Sequence, residues 1–318
     1  MTSGYRAGCE MRVKDDIHSS AWRIALIAAM LMVSGCDAIN ELANEGGADT
    51  YYYVSLGTSL SVGVQPNGSG VPVPTDDGYS DQLFDSIRPA FNTAETQLRE
   101  LKLIRLGCPG ETLDDFVNGG SCLYVAGSQL DAAVDFLTDN AGNIHLVTID
   151  IGGNDFRNGY DDCQDTADPS GCADTLSAQI AADLPPVLAA LRAAAGPGTT
   201  IVGMNYYNPY LSSWLEDDAG KALAAQSIVD VGNVTDYLDA AYVAAEILLA
   251  DVAFAFQSKE ETLVASMLPP PNDEGLLPLN VMNICLFTYQ CDPDRGPDIH
   301  ANTAGYSLIA ATIEAKLP

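Results

Sequence analysis

Two hydrophobic patterns alternate along the chain. Short, mainly apolar runs at 51–56, 101–106, 144–151 and 200–205 each give way to glycine or to polar and aromatic residues. Runs of that length with such stops predict strands, and 144–151, rich in β-branched residues, is the strongest. Between them, apolar positions recur at helical spacing over 79–91, 128–138, 172–195, 220–249 and 303–317. Pro185-Pro186 predicts a break in the third of these helices, and Gly232 one in the fourth. The run 252–256 is read as a fifth strand. Strands alternating with helices imply a parallel sheet covered on both faces, with any site beyond the carboxyl ends of the strands.

The first 36 residues fit neither pattern. Arg23 precedes an apolar run at 24–33 that closes on Val33-Ser34-Gly35-Cys36. Ten apolar residues are too few to span a bilayer but suit the core of a signal peptide. Small residues before a cysteine are what a lipoprotein cleavage site needs, because the thiol accepts the lipid. The expectation is a signal peptide over 1–35, with Met11 an equally good start, lipidation at Cys36, and a polar tether to residue 50. Residues 51–318 then form one domain. That places the protein outside the cytoplasm, lipid-anchored to a bacterial cell membrane.

Charge narrows the partners. The 318 residues include 14 basic and 43 acidic ones, a net charge of −29. Removing residues 1–35 takes away four basic and three acidic residues, so the mature chain is one unit more negative still. Such a surface repels nucleic acid and anionic headgroups, leaving the lipid on Cys36 as the membrane attachment.

The eight cysteines divide in the same way. Cys9 falls in the leader and Cys36 takes the lipid, which leaves Cys108, Cys122, Cys163, Cys172, Cys285 and Cys291. An even set in an exported chain argues for disulfides. Of the fifteen pairings that six cysteines allow, the simplest joins neighbours: 108–122, 163–172 and 285–291. No Cys-x-x-Cys occurs and the mature chain has only two histidines, so no metal or other cofactor is expected.

Those histidines are His145 and His300. His145 opens a strand at its amino end, the wrong side of a parallel sheet for catalysis, and is read as structural. His300 lies in a loop before the last helix, where a general base that titrates near neutrality could reach a site. At the strand ends stand Gly57-Thr58-Ser59-Leu60, Gly107-Cys108-Pro109-Gly110 and Gly152-Gly153-Asn154-Asp155. Each alone is ordinary turn chemistry. Together they offer a nucleophile, backbone N–H donors and a side-chain amide. The Gly-x-Ser-x-Gly elbow of the α/β-hydrolases is absent.

This constellation resembles the SGNH, or GDSL, hydrolases across 51–318. Gly57 to Leu60 match the Gly-Asp-Ser-Leu block, Gly110 the glycine donor, Gly152 to Asp155 the Gly-x-Asn-Asp block, and His300 the histidine of Asp-x-x-His. The resemblance implies a three-layer α/β/α sandwich, flavodoxin-like, with a five-stranded parallel sheet. It also implies a serine esterase or lipase acting on small ester or lipid substrates. Ser59 would be the nucleophile and His300 the base, with an oxyanion hole from Ser59, Gly110 and Asn154. Two positions depart from the pattern. Thr58 stands where the family has aspartate, and Pro297 occupies the place of the acid. Asp298, a main-chain carbonyl or Asp294 remain as supports for His300, with Asp298 favoured. A glycan O-acetyl esterase and an inactive binding lipoprotein of the same fold are the competing readings. Oligomeric state is left open.

Overall fold

The computed structural model describes residues 12–13, 49–91, 99–272 and 275–318. Five parallel strands form its centre: β1 (Asp49–Gly57), β2 (Arg99–Arg105), β3 (Ile144–Asp150), β4 (Thr200–Met204) and β5 (Leu248–Ala250). They lie in the order 2-1-3-4-5. β1 therefore has β2 on one side and β3 on the other, and the chain reverses its winding there. In such sheets a crevice opens above the strand ends at that switch point. A two-residue strand, Arg12–Val13, pairs antiparallel with the outer edge of β2. Cleavage after residue 35 would remove it and leave the five parallel strands. The rest of the expected leader, Cys36 and most of the tether lie outside the described residues, while Asp49 and Thr50 already belong to β1.

Residues alternate across the strands, so each strand feeds two cores. Tyr53, Leu103, Leu146 and Val202 face α1 (Tyr79–Phe91), α7 (Leu279–Phe287) and α8 (Thr303–Glu314). Val54, Leu56, Ile104, Val147, Ile149 and Ile201 face the opposite layer. That layer comprises α2 (Leu113–Asn118), α3 (Gln129–Asp139), α4 (Gly153–Gln164), α5 (Pro169–Ala195) and α6 (Asp218–Ala244). The result is an α/β/α sandwich.

Three expectations are corrected. α5 runs unbroken through Pro185 and Pro186. Ile180 and Leu184 before the prolines, and Val187, Leu188 and Leu191 after them, are all buried against the sheet. That packing outweighs the lost helical hydrogen bonds. α6 likewise passes through Gly232 without interruption but stops at Ala244, short of the expected end. The fifth strand is Leu248–Ala250, and 252–256 instead contains a short helix, Val252–Ala255, capped by Asp251.

The three neighbouring cysteine pairs are bonded as Cys108–Cys122, Cys163–Cys172 and Cys285–Cys291, with Cα separations of 6.0, 5.5 and 5.0 Å. The middle bridge joins the end of α4 to the start of α5 rather than closing a free loop. Among the described residues no helix is long and apolar enough to cross a membrane.

Candidate active site

β1 ends at Gly57, whose φ of +124° and close approach to Asp150 leave no room for a side chain. The chain then turns through Thr58 and Ser59. Several buried groups hold this turn. The Gln129 side chain brackets the Gly57 peptide, its Oε1 accepting from the N–H at 2.6 Å and its Nε2 donating to the carbonyl at 3.0 Å. Ser61 Oγ donates to the Thr58 carbonyl at 2.7 Å. Asp150 accepts from the Thr58 N–H at 2.8 Å. Ser59 emerges 9% exposed, with its Oγ and N–H making no hydrogen bond to a protein group among the described residues.

His300 reaches the site on a two-stranded hairpin, β6 (Thr288–Tyr289) with β7 (Asp298–Ala301). Asp298 Oδ1 lies 2.7 Å from the His300 Nδ1 and accepts the His300 backbone N–H at 2.9 Å. Tyr207 anchors the hairpin by donating to the Ile299 carbonyl at 2.7 Å. Burial works to raise the Asp298 carboxyl, but the His300 hydrogen bond and charge outweigh it and hold the acid below its ordinary value. An ionised Asp298 fixes a proton on Nδ1 and leaves Nε2 as the lone-pair nitrogen. Asp294 makes no contact with the imidazole; its backbone N–H donates to Asp292. His145 packs edge-on against Phe91 at the amino end of β3, with ring centroids 4.4 Å apart.

Asn154 and Asp155 open α4 and tie it to the loop after β2. The Asn154 amide donates to the Glu111 carbonyl at 2.9 Å, and Asp155 accepts the Leu113 N–H at 2.9 Å. The second amide hydrogen of Asn154 has no protein acceptor among the described residues. Gly110 sits in the exposed turn of that loop with φ +81° and an N–H that donates to no protein group among the described residues. A side chain there would meet open space, so the left-handed backbone rather than crowding demands glycine.

Ser59, Asn154 and His300 line one pocket of ≈ 660 Å³, counted with its open mouth. Gly110 lies outside its lining. Ser59 and His300 share the pocket without a hydrogen bond between them. The walls are apolar, built from Phe156, Tyr206, Tyr210, Val231 and Val234, with Arg157 as the one Lys or Arg in the lining. Nothing in the sequence marks Gln129, Glu111, Tyr79 or Asp150 as supports, since none is a motif residue of a recognisable block. Asp150 stood one residue before the expected strand end and was legible only as part of that strand.

No family model matches the sequence, and no curated protein matches it. Solved structures do. A phospholipase A1 from Streptomyces albidoflavus superposes with a TM-score of 0.50 over 84% of this chain and 99% of its own, at 18% identity. A protein named as a GDSL-like lipase from Parabacteroides merdae gives 0.51 over 86% and 97%, at 13% identity. The lipase Lip_vut3 from a goat rumen metagenome gives 0.50 over 84% and 97%, at 17% identity. The fold is that of the SGNH/GDSL hydrolases. Its 2-1-3-4-5 sheet puts the end of β1 at the switch point, where an SGNH hydrolase carries its nucleophile block.

Two acids buried beneath the turn that follows β1 make stability depend on pH. Burial pushes both Asp150 and Glu111 up to about 7, against opposing hydrogen bonds from Thr58 and Tyr79 to the first and from Gln129 to the second. Unfolded, such carboxyls titrate near about 4. Between those values the folded chain binds more protons than the unfolded one, so this contribution is full below about 4 and lost as pH rises through about 7. The melting temperature is expected to be several degrees higher at pH 5 than at pH 8, and Asp150→Asn or Glu111→Gln should flatten the slope. Thermal melts across that range decide it; an unchanged slope in both variants removes the explanation.

Proposed function

We propose that this chain is a serine esterase or lipase that works through an acyl-enzyme on Ser59. The observation that carries the reading is the convergence, in one apolar pocket, of an unbonded serine hydroxyl and an imidazole whose Nδ1 is held by a half-buried carboxylate. His300 Nε2 takes the Ser59 proton as Oγ attacks the ester carbonyl. The oxyanion is received by the Ser59 N–H and the free Asn154 amide hydrogen, with the Gly110 N–H joining once its turn closes on substrate. His300 then protonates the leaving alcohol and activates the water that releases the acid. Asp298 keeps the imidazole in the productive tautomer throughout.

The apolar walls suit an acyl chain rather than a bare acetyl group. Each buried methylene is worth about 0.8 kcal/mol, on the order of fourfold in kcat/KM. Across p-nitrophenyl esters, kcat/KM should therefore climb from acetyl through hexanoyl before the pocket is filled. A maximum at acetyl would move the reading to O-acetyl esters of glycans. No turnover on any of them would favour an inactive binding protein.

The proposal extends to location: Cys36 carries the lipid and holds the enzyme on the outer side of a bacterial cell membrane. It rests on the Val33-Ser34-Gly35-Cys36 pattern behind a short apolar run. Cys36→Ser should prevent incorporation of labelled palmitate; incorporation unchanged by the substitution would refute lipidation there.

A further inference from the structure

Thr58 occupies the position where the resembled block has aspartate, yet the turn has a carboxylate. It comes from the neighbouring strand. Asp150, the last residue of β3, lies opposite Gly57 in register and is fully buried. Its Oδ1 accepts from the Thr58 N–H at 2.8 Å and from the Thr58 hydroxyl at 2.5 Å, and its Oδ2 accepts from Tyr79 at 2.8 Å. Among the described residues no Lys or Arg is ion-paired with it. It has no contact with His300, whose carboxylate partner is Asp298. A fully desolvated carboxylate without a cation is a costly core residue. Two of its donors, an N–H and a hydroxyl, are on the single residue that precedes Ser59.

Resting on the esterase reading and on Ser59 as nucleophile, we infer that Asp150 is the positioning residue of the nucleophile turn, acting across strands through Thr58. The bonds fix Thr58 on one side while Ser61 holds its carbonyl on the other. The peptide that leads into Ser59 is thereby fixed, and with it the direction of the Ser59 N–H and Oγ. A displacement of about 1 Å at that point can cost a hundredfold in rate. What matters in this arrangement is a hydroxyl facing a carboxylate between positions 58 and 150, and the two groups are exchangeable.

The exchange is the test. With p-nitrophenyl butyrate and a fluorophosphonate probe, Asp150→Thr is expected to lower kcat about a hundredfold, with KM within threefold. The labelling rate should fall in parallel. The double variant Thr58→Asp/Asp150→Thr restores the pair with its polarity reversed and should recover at least about tenfold of that loss. A double variant that folds, by circular dichroism, yet is no faster than Asp150→Thr overturns the inference. Where either variant fails to fold, Thr58→Val decides, since it removes only the hydroxyl. A drop of about tenfold in kcat at unchanged KM supports positioning, whereas wild-type kcat with a lowered melting temperature leaves Asp150 a structural residue and overturns it. Wild-type protein that neither hydrolyses esters nor labels has a different signature and removes the esterase reading itself.

Discussion

Ser59→Ala should lower ester hydrolysis on the order of 10⁶-fold and abolish fluorophosphonate labelling, with the fold intact. The size follows from what such a change removes in a serine hydrolase: the attacking atom, which the rest of the machinery cannot replace. Nearby serines are poor substitutes for stated reasons. Ser55 is fully buried within β1, and the Ser61 hydroxyl is committed to the Thr58 carbonyl. Ser59 is the one serine in the pocket lining, where its unbonded hydroxyl stands beside His300. Mass mapping of the probe adduct checks the assignment, and a label surviving on Ser61 would show that the nucleophile lies elsewhere.

The second large effect concerns the base and its partner. His300→Ala should cost a similar factor, because serine and histidine act as one unit. Asp298→Asn should cost on the order of 10⁴-fold, since an amide can donate to Nδ1 and hold the imidazole in the wrong tautomer. His145→Ala should leave turnover within a few-fold, its ring being packed against Phe91 at the far end of β3. Steady-state kinetics on the three variants separates the possibilities. Near-wild-type activity in Asp298→Asn would assign the orienting role to a main-chain carbonyl. Equal losses from both histidine variants would overturn the choice of base.

The candidate site was legible to the extent that its residues lie in short segments at strand ends. Ser59 and Asn154 could be placed just past strands because a run of apolar residues stops shortly before each, and His300 because it stands in a polar, Gly- and Pro-containing segment just before the last helix. Asp298 was harder. The resemblance pointed to position 297, where proline stands, and nothing local selects the neighbour over Asp294. The hairpin of β6 with β7 favours Asp298, by giving residues 298 and 300 backbone directions that bring carboxylate and Nδ1 to 2.7 Å. The supports of the nucleophile turn were not legible at all. Gln129 and Gly57 are 72 positions apart, and Thr58 and Asp150 are separated by 92. No local pattern encodes a hydrogen bond over such distances.

The same division runs through the fold. Local composition determined four of the five parallel strands, because a strand buried on both faces must be apolar along its length, and 144–151 is the clearest case. It also determined the disulfide partners, since cysteines six to fourteen residues apart meet without help from the rest of the chain. Local composition misread Pro185-Pro186, Gly232 and 252–256, where propensities worth a few kcal/mol at most were set against the burial of whole helix faces. Strand order, and with it the placing of β1 at the switch point, came only from tertiary structure, because each strand's pattern is compatible with any neighbour. The sequence by itself thus named the candidate reactive groups; only the packing of β1 between β2 and β3 brought Asp150 under Thr58 and aimed Ser59 into the pocket.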